Sequence, residues 1–207
     1  MEYPASRLLV FAREPVPGKV KTRLIPAIGA RGAVSLHKYL VRTCLRKAVG
    51  ARLCPVELWC SPGTEHPFFQ ECMDRFGVTL HAQQGRDLGE RMHHALCSAL
   101  QRGSPAILIG TDCPSLTKGD LGEALAALHG GHDAVLGPAE DGGYYLLGLR
   151  VAGGSLFEGI AWGRGEVCGE TRLRIARLNW RWHELARRRD VDRPEDVEWL
   201  KDLRAAE

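Results

Sequence analysis

LLVFAREPVPGKVKTRL, Leu8 to Leu24, is the stretch on which the reading of this chain turns. It opens on an apolar β-type run, Leu8-Leu9-Val10-Phe11-Ala12. It then passes at once into a loop shaped by Pro15, Pro17 and Gly18 and loaded with Arg13, Lys19, Lys21 and Arg23. A strand that delivers a cationic, Gly/Pro-rich loop is how α/β proteins present a phosphate site at a strand's carboxyl end. Lysine supplies a point charge and arginine a fork of donors, and both suit phosphate oxygens. The plainer alternative is a solvated loop with ordinary surface charge. The two prolines weigh against it, because they lower unfolded-state entropy and suit a loop held in one shape.

The 207 residues allow one sizeable α/β domain, spanning 1–207, with its own core. A hydrophobic share of 44% and a charged share of 26% are those of an ordinary globular protein. The net charge of +3 is too small to indicate a nucleic-acid partner, so the basic loop is a local feature. Seven cysteines include no CxxC pair, and most sit in apolar runs, where a free thiol behaves as a small hydrophobe. Reduced thiols in a cytoplasmic protein are the expectation. The amino-terminal segment lacks a signal-peptide pattern, and no stretch approaches the ~20 apolar residues of a membrane span.

Beyond the loop, Ala33, Leu36, Leu40 and Cys44 recur at helical spacing, which predicts an amphipathic helix over about 30–49. Val56 to Cys60 reads as a strand, 67–76 as a short helix stopped by Gly77, and 78–81 as a third strand. The alternation predicts a mostly parallel sheet with helices on both faces. At Asp87-Leu88-Gly89-Glu90-Arg91 a helix begins, with Asp87 as its cap and Glu90 as the back-bonding carboxylate of a capping box. Asp87, Arg91 and that helix N-terminus are equally candidates to face a ligand.

The central strand Ala106-Ile107-Leu108-Ile109 runs straight into Gly110-Thr111-Asp112. Ligands collect at that place in open α/β sheets. Thr117 and Asp120 already supply a capping box for the next helix, so Asp112 is free to hold a hard divalent cation, with Thr111 beside it. Further on, Glu140-Asp141-Gly142-Gly143 forms a tight acidic turn between two strands, and its plain reading is a hairpin with solvated charges. Residues 171–178 read as a helix and 180–185 as a late strand. Asp192 and Pro194 then open a last helix with Val197, Leu200 and Leu203 buried. Gly18-Lys19 is not a P-loop, since Val20 stands in place of Ser/Thr, and His93-His94 are adjacent and cannot chelate as an i, i+4 pair.

In order, FAREPVPGKVKTRL, DLGERM, IGTDCPSL, LGPAEDGGYYLLGL and RDVDRPEDV resemble the small bacterial GT-A-fold proteins of the DUF2064 type. These are often labelled glycosyltransferases and are in part linked to arsenosugar biosynthesis. The resemblance covers nearly the whole chain. It implies a three-layer αβα sandwich that binds a nucleoside-diphosphate sugar or a nucleoside triphosphate together with Mg2+ or Mn2+. On that template Arg13, Pro17, Gly18, Lys19, Lys21 and Arg23 cradle the phosphates, and Asp112 becomes the main metal ligand. Asp190 or Asp192 is the candidate second ligand, and Asp87, Arg91, Thr111, Gly142 and Gly143 are candidates for further substrate contacts. This chain departs from the family pattern at Arg193, where Thr is usual, and at Trp162-Gly163-Arg164-Gly165, where Trp-Ser/Thr-x-Pro is usual.

The expected activity is a metal-dependent glycosyl transfer to a small-molecule acceptor, with Glu140 or Asp141 taking the acceptor's proton. The alternatives are nucleotidyl transfer with pyrophosphate release, and a nucleotide-binding regulatory protein without turnover.

Overall fold

The computed structural model describes residues 1–102, 105–163 and 165–205. In chain order, with short 3-10 turns at Thr22–Leu24 and Gly154–Leu156, the elements are as follows. The amino-terminal part holds β1 (Arg7–Arg13), α1 (Ile25–Gly50), β2 (Val56–Ser61), α2 (Pro67–Phe76) and β3 (Thr79–Ala82). The middle holds α3 (Leu88–Leu100), β4 (Ala106–Ile109), α4 (Lys118–His129), β5 (Ala134–Pro138) and β6 (Tyr144–Leu149). The chain finishes with α5 (Val167–Arg177), β7 (Trp182–Glu184) and α6 (Pro194–Ala205).

The strands form a seven-stranded sheet in the order β3-β2-β1-β4-β6-β5-β7. Pairings are parallel except those of β6, which runs against both β4 and β5. β1 is continuously apolar because both its faces are covered, as a central parallel strand requires. Leu8, Val10 and Ala12 enter a core shared with α1, α2 and α4, among them Leu45, Phe69, Leu121 and Leu125. Leu9 and Phe11 enter the opposite core, with Met92 and Leu96 of α3 and Cys168 and Ile175 of α5. Each such fully buried Leu or Phe contributes roughly 1.5–3 kcal/mol relative to exposure. The result is the expected three-layer αβα sandwich.

The long apolar stripe of α1 behaves as its spacing predicts, with Ala33, Leu40, Val41 and Cys44 buried. Gly29, at φ 70 and ψ 164, breaks the first turn of that helix, a backbone shape that glycine adopts without a Cβ penalty. The Thr117/Asp120 capping box is present in both directions. Two details of the other caps differ from expectation. Glu90 reaches past Asp87 and accepts the N–H of Arg86 at 2.8 Å, because the Arg86 guanidinium pulls the carboxylate outward. Asp192 does not cap α6 with its side chain. Its carboxylate pairs with Arg23, and Asp196 accepts the N–H groups of Asp192 and Arg193 at 3.0 and 2.7 Å. All seven cysteines are free, and burial pushes the Cys44, Cys54 and Cys60 thiols up to about 12. Among the described residues no helix is long and apolar enough to cross a membrane.

Candidate functional site

The carboxyl ends of the parallel strands and the start of the reversed β6 share one rim, where the loops after β1, β4 and β5 meet residues 188–192. β1 hands over to the loop at Arg13, whose carbonyl accepts a hydrogen bond from His37 Nε2 at 2.8 Å. That contact makes His37 the Nε2–H tautomer. Burial lowers the pKa of His37, partly offset by the Arg13 carbonyl and the Asp112 carboxylate, while Lys21 and Arg13 lower it further. The loop then folds on itself. Glu14 N–H bonds the Ser61 carbonyl at 2.8 Å, Lys19 N–H bonds Val16 at 3.0 Å, and Gly18 takes φ 79 at the exposed tip beside Pro17.

The four cations of this loop divide into two pairs. Arg13 is exposed and its guanidinium has no partner among the described residues, and Lys19 lies 3.4 Å from Glu14 with its side chain more than half exposed. Lys21 instead turns inward. Its backbone is left-handed (φ 48, ψ 42), its side chain is 4% exposed, and Nζ lies 2.9 Å from Asp112 Oδ2 and 2.5 Å from the Val191 carbonyl. Arg23 pairs with Asp192. Arg13, Lys19 and Arg23 thus face solvent, Lys21 alone of the four is buried, and Lys21 and Arg23 tie the loop to acidic groups from distant parts of the chain.

After β4, Gly110 N–H bonds the Tyr145 carbonyl at 3.1 Å, Thr111 is buried, and Asp112 presents a half-exposed carboxylate. The main chain of Asp112 accepts Val191 N–H at 2.8 Å, and Ser115 Oγ donates to the Arg189 carbonyl at 2.9 Å. These bonds press residues 189–192 against the loop that follows β4. Asp190, partly buried there, has its carboxyl pushed up to about 6, first by burial and then by the Asp141 carboxylate. Lys21 opposes that shift and Asp192 adds to it. Asp190 thus feels Asp141, Asp192 and Lys21, and the same Lys21 ammonium meets Asp112. Among the described residues no three Asp, Glu, His or Cys side chains converge closely enough to hold a metal ion by themselves. The donors are nonetheless hard carboxylate oxygens, and Mg2+ commonly takes one or two of these and completes its shell with water and substrate phosphates.

The acidic turn is a true hairpin. Ala139 N–H bonds Gly143 at 3.0 Å, and Asp141 Oδ1 accepts Gly143 N–H at 2.8 Å. Gly142, at φ 87, has no room for a side chain, since a Cβ there would lie 1.9 Å from the Gly165 carbonyl. The exposed Glu140 has no side-chain partner among the described residues. Beside the turn opens a cavity of about 690 Å3, lined by Ala139, Gly142, Val167, Cys168, Arg172 and Arg187 among others. A second cavity of about 910 Å3 lies at the opposite, amino end of the strands. Its polar wall is spent internally, with Glu57 accepting Arg102 at 2.6 Å and Trp59 Nε1 at 3.1 Å.

At the far side of the rim Asp87 caps α3 by accepting Glu90 N–H at 2.8 Å, and Arg91 reaches Ser61 Oγ at 3.3 Å and the Gly85 carbonyl at 3.0 Å. Arg164 lies outside the described residues, while Trp162 next to it packs so closely on Gly89 that a Cβ there would meet the indole at 2.6 Å. His37 was missed in the sequence, although a histidine inside the apolar stripe of α1 is a signal of a buried polar role. Gln83 was also missed. Its amide bonds the Trp59 carbonyl at 2.8 Å and the Ala12 carbonyl at 3.4 Å, which locks the ends of β2 and β1 together.

Solved structures share this architecture. A presumed nucleotide-diphospho-sugar transferase from Desulfovibrio desulfuricans G20 is 33% identical with a TM-score of 0.82, over 92% of this chain and 83% of that one. CMP:2-keto-3-deoxy-manno-octonic acid synthetase, complexed with CTP, shares the fold at 14% identity and a TM-score of 0.59, over 97% and 98% of the two chains. A 4-diphosphocytidyl-2C-methyl-D-erythritol synthase from Anaerococcus prevotii DSM 20548 does so at 7% and 0.62, over 94% of each. No curated protein matches the chain. The sequence profile of DUF2064, described as an uncharacterized protein conserved in bacteria, matches residues 44–164. With its fold of the nucleotide-diphospho-sugar transferase type, the chain belongs to the DUF2064 family.

Proposed function

We propose that this protein is a transferase that draws on a nucleotide-activated donor, and that the donor is a nucleoside-diphosphate sugar whose sugar passes to a small-molecule acceptor. The observation that carries the reading is the Arg13–Arg23 loop facing Asp112 across one rim, with Arg13 and Lys19 open to solvent and Lys21 fixed on Asp112. The open cations suit the donor's phosphates, and preorganised positive groups aimed at a leaving diphosphate are an effective source of rate. Asp112 and Asp190 are the residues that would hold Mg2+ or Mn2+, with Asp192 behind them in its pair with Arg23. When bound, the cation would supply Lewis-acid neutralisation of diphosphate charge. The cavity beside Gly142 is the place for the acceptor, within reach of the turn that carries Glu140. The seven free thiols suit a reducing, cytoplasmic setting.

One observation favours nucleotidyl transfer as a second reading. Asp141 is turned back onto its own backbone, so that one of the two candidate bases is occupied, and an acceptor that already carries a phosphate needs none.

Thermal-shift screening of nucleoside diphosphates, triphosphates and sugar nucleotides with and without Mn2+ tests the donor class, because a ligand selective for the native state raises Tm. Release of nucleoside diphosphate from a sugar nucleotide supports the first reading, and release of pyrophosphate from a triphosphate supports the second. Asp112→Asn keeps a polar group beside Lys21 but removes the charge that meets it, so it is expected to lower turnover on the order of 100-fold and to lower Tm as well, with turnover read on protein shown by circular dichroism to be folded. Full turnover in that variant removes Asp112 from the site.

A further inference from the structure

Lys21 is the residue on which the rim closes. It is carried by the exposed loop, yet its side chain is almost wholly buried, and Nζ is shared between Asp112 Oδ2 at 2.9 Å and the Val191 carbonyl at 2.5 Å. A lysine sunk this deep is costly unless its charge is met, and Asp112 is the carboxylate that meets it. The backbone pays as well, because Lys21 sits at φ 48, where residues other than glycine are uncommon. A second loop cation, Arg23, also pairs with an acidic group, Asp192, although from a largely exposed position. Two of the acidic groups expected to face a metal are therefore already neutralised by the protein's own cations.

We propose that Lys21 is a resident counter-ion that keeps Asp112 from holding a divalent cation unaided, so that metal enters the site only together with the phosphates of the donor nucleotide. This rests on the transferase reading above. A bare divalent ion approaching Asp112 meets a fixed ammonium already on one carboxylate oxygen, and like charges at such separations repel strongly in a partly desolvated site. A metal–nucleotide complex arrives with phosphate oxygens that offset both cations at once. The order of binding then follows from charge balance. Lys21 keeps the empty rim assembled, and the nucleotide supplies the negative charge that admits the metal.

The test is Mn2+ titration followed by electron paramagnetic resonance on wild type, Lys21→Met and Lys21→Gln, with circular dichroism to verify folding. Gln keeps a donor for the Val191 carbonyl while removing the charge. Wild type is expected to bind Mn2+ alone only weakly, and both variants about tenfold or more tightly, since one unit of repulsion a few ångströms from the ligand oxygen is gone. Micromolar or tighter binding of Mn2+ alone by wild type overturns the proposal. So does unchanged or weaker Mn2+ affinity in folded variants. Its failure is separable from failure of the transferase reading. If nucleotides with Mn2+ raise the Tm of wild type but the lysine variants bind Mn2+ no better, only the counter-ion role falls. If no nucleotide shifts wild type under any condition, the transferase reading falls whatever the variants do.

Discussion

Arg188 sets its guanidinium on both carboxylate oxygens of Asp120, at 2.8 and 3.1 Å, across 68 residues of chain. Asp120 is buried and at the same time closes the capping box of α4, accepting the Thr117 N–H at 2.8 Å. One carboxylate thus starts a helix and anchors the segment that carries Asp190 and Asp192 to the rim. Asp120→Ala is expected to destabilise the fold by about 3 kcal/mol, since it strands a half-buried guanidinium and removes a cap. Arg188→Met leaves the cap in place and costs less. Urea denaturation of the two variants checks the ranking, and equal losses would argue against the shared role.

Arg13 has no partner to lose within the described residues. Arg13→Ala is therefore expected to leave Tm within a degree or two while weakening nucleotide binding about tenfold, as befits a charge-assisted contact made only to ligand. Isothermal titration with whichever nucleotide gives the largest thermal shift measures it. A large fall in Tm would assign Arg13 to the scaffold instead.

The bond from His37 to the Arg13 carbonyl gives stability a pH dependence of definite sign. Burial lowers the folded-state pKa of His37 below its ordinary value, so between the two values the unfolded chain binds the proton and the folded one does not. The contribution of His37 to stability therefore falls as pH drops below about 6.5. His37→Gln removes that proton sink and forfeits roughly 1 kcal/mol of hydrogen bonding at neutral pH. The gap between wild type and variant should narrow from pH 7.5 to pH 5, as read from denaturant midpoints. A gap that widens on acidification would mean that His37 is charged in the native state.

Gly142→Ala places a methyl group where the Gly165 carbonyl already stands, and does so at φ 87. Either the turn or the start of α5 has to move, at a cost of about 2 kcal/mol or more. Acceptor-dependent turnover should fall further than nucleotide binding, because the cavity is lined from both segments. Comparing nucleotide-induced Tm shifts with steady-state rates separates the two effects.

The parts of this architecture that were legible beforehand are those where one physical signal dominates. The continuous apolar run of β1, the stripe of α1 and the Thr117/Asp120 box each have a single low-energy reading, and the structure contains them. The direction of β6 was only half visible, because Asp141-Gly142 marks a hairpin but the preceding alternation argues for parallel pairing. Side-chain partnerships across the chain were not visible at all. Nothing in KTRL says that Lys21 turns inward to Asp112 while Lys19 turns out, since that choice rests on the Val191 carbonyl, supplied 170 residues later. Asp192 looked like a helix cap by its position before Pro194, and Arg23, equally remote, claimed it instead.

The reversal of β6 divides the rim into two jaws built by different means. On the β1 and β4 side each rim loop leads into a helix, so an insertion there has to re-dock α1 or α4 against the core. On the β5–β6 side the rim is a short turn with Glu140 and Asp141 at its exposed tip. The backbone of that turn is fixed by Glu140 N–H on the Arg188 carbonyl and by Cys168 N–H on the Gly142 carbonyl, so only the exposed side chains of Glu140 and Asp141 can change without moving a neighbouring segment. The fold thus sets a jaw whose loops are bound to helices opposite one whose exposed charges can be exchanged in place.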